Sequence, residues 1–142
     1  MGYNILVVDD SLAMRSVIKK SVKASGFKVK QFFDAANGKE ALNILKQEWF
    51  DLVLTDFNMP EMNGLELVAA MKKDDLLRTI PVVMISTEGS RLRIEDFFKK
   101  GVAGFIKKPF EPEEIRQNLN RIMGEPDDEQ QFSEDSAEGL DF

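Results

Sequence analysis

Asn4-Ile5-Leu6-Val7-Val8-Asp9-Asp10 sets four apolar residues directly before two acids near the start of the chain. An unbroken apolar run of this length reads as a strand covered on both faces, because a half-exposed strand alternates. Four further short runs follow, at residues 29–33, 52–55, 82–85 and 103–106. Between them the apolar spacing changes to that of helices. Met14, Val17, Ile18 and Val22 form a stripe that ends at Gly26. Ala41, Leu42 and Leu45 follow Asn37-Gly38, and Leu65, Val68 and Met71 follow Asn63, a fitting N-cap. Ile94, Phe97 and Phe98 precede Gly101, and Ile115, Leu119 and Ile122 follow Pro112 at a first-turn position. Strand and helix thus alternate five times. The pattern predicts an α/β fold: a doubly wound, five-stranded parallel sheet with five helices on its two faces.

Composition narrows the chemistry. The 142 residues, 43% hydrophobic and 31% charged, suit one soluble domain with a real core. No apolar run reaches a membrane span, and the N-terminal run turns acidic too soon for a signal peptide. The chain has no Cys and no His. Thiolate catalysis, imidazole bases and an internal phosphohistidine are therefore excluded, and any metal must sit on oxygen ligands. A cytoplasmic location is the expectation. Of the 25 acids, eight fall in residues 124–142, where there is no Lys or Arg, so residues 1–123 carry 17 acids against all 19 basic residues. A nearly neutral domain at 1–123 and an acidic tail at 124–142 are expected, the tail carrying Phe132, Leu140 and Phe142 as apolar handles for docking. Neither part has the charge of a nucleic-acid binder.

In an open parallel sheet, ligands bind beyond the carboxyl ends of the strands. After the first run stand Asp9 and Asp10, after the third Asp56, after the fourth Ser86 and Thr87, and after the fifth Lys107, Lys108 and Pro109. Each has a plain structural role open to it. An acid pair closes turns, Ser-Thr caps helices, and paired lysines lie in solvent. Their joint presence at four strand ends is what favours a site. Three clustered carboxylates need a proton or a cation between them, and oxygen ligands with room for water suit Mg²⁺. Beside Mg²⁺ and a lysine, a carboxylate can act as nucleophile toward a phosphoryl group.

The stretches VVDDSLAMR, LTDFNMPEMNG, PVVMISTE and GFIKKPF, in this order over residues 4–123, resemble the receiver domain of bacterial response regulators. Their detail is most similar to the stand-alone chemotaxis regulators of that family. The resemblance implies a flavodoxin-like strand order 2-1-3-4-5, which periodicity alone does not give. It implies Asp56 as phosphoacceptor, with Asp9, Asp10, Asp56 and the Asn58 backbone carbonyl around Mg²⁺, Asp10 directly and Asp9 mainly through water. Lys108, not Lys107, would contact the phosphoryl oxygens, next to a cis Lys108–Pro109 bond. Ser86 would move to the phosphoryl group and Phe105, where many relatives have Tyr, would turn inward. Asn58 and Glu88 would tune dephosphorylation toward a scale of seconds.

The same resemblance implies a sensor histidine kinase as donor, a protein target on the surface of residues 91–123, and in some cases a phosphatase. Arg91, Arg93, Lys99, Lys100 and Lys107 on that surface suit an acidic or amphipathic partner segment, or are simply solvated. No effector domain is expected after Met123, so output would run through protein contacts, in chemotaxis for preference. Such a chain is a signalling phosphoacceptor rather than an enzyme, apart from catalysing its own phosphotransfer and dephosphorylation. A phosphorelay intermediate or phosphate sink is the nearest alternative. A metal-dependent phosphatase with an Asp nucleophile would want a second Asp where Asn58 stands. A flavin carrier would want a phosphate loop where Asp9-Asp10 stand.

Overall fold

A computed structural model describes residues 2–124. The expected docking residues Phe132, Leu140 and Phe142 lie outside the described residues. In chain order the elements are β1 (Tyr3–Val8), α1 (Leu12–Ala24), β2 (Val29–Ala35), α2 (Gly38–Leu45), β3 (Leu52–Thr55), α3 (Gly64–Lys72), β4 (Val82–Ser86), α4 (Arg91–Lys99), β5 (Gly104–Lys107) and α5 (Pro112–Met123). The five strands form one parallel sheet in the order β2-β1-β3-β4-β5.

Successive residues of a strand point to opposite faces, so every apolar run feeds two cores. Leu6, Val8, Val53, Val82 and Met84 pack with Ala41 and Leu45 of α2, Leu67, Val68 and Met71 of α3, and Phe97 of α4. Ile5, Val7, Leu52, Leu54, Val83, Ile85 and Ile106 pack with Ile18 and Val22 of α1 and Ile115 and Leu119 of α5. Burial on both sides is why β1, β3 and β4 read as unbroken apolar runs. Strand β2 lies at the sheet edge and shows only partial burial through Val29, Phe32 and Phe33, so it carries Lys30, Gln31 and Asp34 among its apolar residues.

Side chains set the helix ends. Ser11 and Asn37 accept from the N–H groups of Met14 and Glu40, and Asn63 and Glu66 bond each other's backbone in a capping box. Helix α4 starts at Ser90, whose hydroxyl accepts from Arg93 N–H, so the Ser86-Thr87 pair is left outside the helix. Gly101 ends α4 with φ +104°, a conformation that costs other residues a Cβ clash. Two residues of the expected stripes face outward: Val17 is 46% and Phe98 45% exposed.

Candidate phosphoacceptor site

Parallel register puts Val8 beside Thr55, Thr55 beside Met84, and Ser86 beside Lys107. The residues one step beyond these positions therefore share one rim. The ladder continues into them: Asp56 N–H donates to the Val8 carbonyl at 2.9 Å and Lys108 N–H to the Ser86 carbonyl at 3.0 Å. Asp9, Asp10 and Asp56 converge there, with one carboxylate oxygen from each within 4.8 Å of the others. Lys108 Nζ reaches Asp9 Oδ2 at 2.9 Å and Asp56 Oδ1 at 3.5 Å. Lys107 points outward and is exposed. The Lys108–Pro109 peptide is cis.

The three acids sit differently. Asp9 is buried, with its side chain 2% exposed, and its Oδ1 accepts from Ser11 N–H at 2.9 Å. Asp56 is half-buried, and its Oδ1 accepts from Phe57 N–H at 2.8 Å. Asp10 is exposed and takes no part in these bonds. Burial pushes the Asp56 carboxyl above its usual range and the Asp9 charge adds to this, while the Lys108 ammonium and the Phe57 N–H oppose it. A buried acid, a half-buried acid with a raised pKa and an open acid facing solvent make a donor set for a hard divalent cation that keeps water ligands. The residues present fit Mg²⁺.

The remaining expected residues lie in β4, in β5 and in the loops after β3 and β4. Ser86 is buried, and its Oγ accepts from Glu88 N–H at 3.0 Å. Phe105 is half-buried against the α2–α3–α4 core, its ring 5.9 Å from that of Phe97. Asn58 is exposed in the loop after β3, and Glu88 is half-exposed with Oε1 3.5 Å from Arg93 Nε. Gly64 carries that loop back over the site. Its N–H bonds the Phe57 carbonyl at 2.9 Å, and an added Cβ there would collide with the Asp56 carbonyl oxygen.

Two arginines of the neighbourhood had no assigned place in the site from sequence. Arg15 donates to the Asp9 carbonyl at 2.6 Å and to Asp34 Oδ2 at 2.9 Å, while Lys19 reaches Asp34 Oδ1 at 2.6 Å. Arg93 lies with its guanidinium 4.8 Å from the Phe57 ring centroid. Arg15 stands within VVDDSLAMR, and its place in the first turn of α1, five residues after Asp10, was the available signal.

Known proteins resemble the chain over the same span. A family model described as the response regulator receiver domain matches residues 5–120. Chemotaxis protein CheY1 of Helicobacter pylori is 40% identical over 124 residues, covering 87% of this chain and 98% of its own. A chemotaxis protein CheY homolog of Campylobacter jejuni is 38% identical over 121 residues, covering 84% of this chain and 92% of its own. The structure of chemotaxis protein CheY4 of Vibrio cholerae superposes with a TM-score of 0.76 at 31% identity, covering 86% of this chain and 99% of that one. The fold agrees with the structural match, and the chain belongs to the response regulator receiver domain family.

Proposed function

We propose that the chain accepts a phosphoryl group on Asp56 from a sensor histidine kinase, with Mg²⁺ beside it, and signals through protein contacts in chemotaxis. The observation that carries this is the meeting of Asp9, Asp10, Asp56 and Lys108 at one rim of the sheet. The chemotaxis relatives supply the pathway. The cytoplasm is the proposed location, and among the described residues no helix is long and apolar enough to cross a membrane.

Phosphoryl transfer asks a protein for positioning and charge stabilisation more than for bond-making groups. Asp56 is the nucleophile, held in line by Phe57 N–H. Lys108 is already turned toward Asp56 and needs little reorganisation to meet phosphoryl oxygens. Mg²⁺, held by Asp9, Asp10, Asp56 and the Asn58 carbonyl, would neutralise the clustered acids and the incoming phosphoryl charge. Ser86 exchanges its bond from Glu88 N–H for one to the phosphoryl group, and Phe105 follows inward into the space it leaves. The domain in this way catalyses its own phosphorylation and hydrolysis, with Asn58 and Glu88 tuning loss of the group toward seconds. Residues 1–123 form the receiver, and 124–142 an acidic tail.

The output face is α4, β5 and α5. Its basic charge is partly spent within the face: Arg91 pairs with Glu95, Arg93 with Glu88 and Lys100 with Asp96. Lys99 and Lys107 remain exposed beside these pairs, so an acidic or amphipathic partner segment is the occupant proposed for this face. The test is transfer from a labelled histidine kinase to the full chain. Label should move to the wild type in Mg²⁺, fail to move to Asp56→Asn, and leave within minutes. Label retained on Asp56→Asn would refute the reading, and label persisting for hours on the wild type would refute the tuning by Asn58 and Glu88.

A further inference from the structure

Arg93 lies outside the stretches that mark the family, yet it touches the neighbours of two site residues at once. It projects from the first turn of α4, with its guanidinium 4.8 Å from the centroid of the Phe57 ring. Phe57 is the residue whose N–H holds Asp56 Oδ1. Arg93 Nε is also 3.5 Å from Glu88 Oε1. Glu88 is the residue whose N–H holds Ser86 Oγ. One side chain thus ties the residue after Asp56, just past β3, to the loop after β4.

We infer that Arg93 is a positioning residue: it latches residues 87–90 in their resting place and so opposes loading of the phosphoryl group on Asp56. The inference rests on the reading of Asp56 as phosphoacceptor and of Ser86 as the hydroxyl that moves to it. When Ser86 turns toward Asp56, it gives up its bond from Glu88 N–H. The loop then moves, and the Glu88 carboxylate draws away from Arg93. Arg93 cannot simply follow, because its other contact is fixed. Phe57 is only 8% exposed, and its ring is packed 5.2 Å from that of Phe97, itself 5.9 Å from Phe105. The ring is an anchor in the core, and the loop is the part that yields.

Each contact is modest. The Arg93 and Glu88 side chains are 40% and 44% exposed, which screens their attraction. A cation over a ring at such a site adds a comparable amount. Only the Glu88 contact is lost on loading, so it alone weights the resting arrangement, by about two- to fivefold, while the ring holds the guanidinium in place to make it. The guanidinium contributes through its plane as well as its charge. A lysine would keep the attraction to Glu88 and lose most of the stacking.

The test is binding of beryllofluoride, a phosphoryl mimic, to the full chain in Mg²⁺ by calorimetry. Arg93→Gln keeps a helix-favouring residue at a half-exposed position, so folding is preserved. It should bind about two- to fivefold more tightly than wild type, with Arg93→Lys in between. A purely structural role would weaken binding or leave it alone. Phe57→Leu removes the ring face, and Arg93→Gln added to it should gain far less than it does alone. Equal or weaker binding by Arg93→Gln, or full additivity with Phe57→Leu, would overturn the inference. Binding that survives Asp56→Asn would instead overturn the phosphoacceptor reading beneath it.

Discussion

Asp56 carries its charge at a cost to the apo protein. Burial raises its pKa above the ordinary carboxylate value, the nearby Asp9 raises it further, and Lys108 offsets only part of this. The folded state therefore holds the Asp56 proton more tightly than the unfolded chain does. Stability from this group is present below the ordinary value and falls as pH rises through the raised one. Asp56→Asn should accordingly melt higher than wild type at pH 7 without metal, with the gap closing near pH 4. A thermal melt at the two pH values checks both signs, and a lower melting point at pH 7 would contradict the account. A second strained point lies nearby. Glu61 has φ +71°, in the left-handed region that costs a residue with an ordinary Cβ about 1 kcal/mol. Asn tolerates that region, so Glu61→Asn should raise the urea midpoint by an amount worth roughly 0.5–1 kcal/mol. At this scale the sequence was readable where polar residues follow apolar runs, as at Asp9, Asp10, Asp56, Ser86 and Lys108. It was not readable at Arg93, because an arginine on a helix looks solvated until tertiary packing brings a ring beneath it.

Element ends were legible where the cap is local. Asn63 and Glu66 stand three residues apart and bond each other, so spacing alone marks the start of α3. Ser86-Thr87 has the same look, but parallel pairing with β5 keeps Ser86 in the sheet, and Ser90 caps α4 instead. Strand β2 was shorter in the sequence reading than in the structure, because Asp34 looks like a terminator. Its charge is tolerated in the strand because α1 supplies Arg15 and Lys19. Burial alone would raise the Asp34 pKa, but bonds from Lys19 and Arg15, with their charges, outweigh it and hold the carboxyl below its usual range. For a lowered pKa the stability is present above the ordinary carboxylate value and is lost as pH falls through the folded one. Asp34→Ala should cost about 1 kcal/mol at pH 7, since the side chains are partly exposed and screening limits the gain. The cost should shrink in high salt and below pH 3, as urea unfolding would read out. An unchanged cost at 1 M salt would point to packing rather than charge.

The whole molecule decides what periodicity cannot. Five strand–helix repeats admit several strand orders, and the observed one, with β3 between β1 and β4, brings Asp9, Asp56 and Ser86 onto adjacent strands. That order came from resemblance, because the contacts selecting it join residues far apart in sequence. Its consequence is a sheet whose working rim gathers like charges while both cores are closed, so stability and function pull in opposite directions. A cation bound by the folded rim, and not by the unfolded chain, should recover part of that stability by mass action. At ten times its dissociation constant, Mg²⁺ adds about 1.4 kcal/mol, which for a domain of this size raises Tm by about 3–6 °C. Chelation should remove that gain completely and reversibly. Asp10→Ala should abolish most of it while leaving the apo Tm equal or higher, since the exposed Asp10 holds nothing else in the rim. Scanning calorimetry in Mg²⁺ and in chelator, for both proteins, separates the cases. A wild-type Tm that does not respond to saturating Mg²⁺ would mean that the three acids do not form a cation site, whatever the resemblance implies.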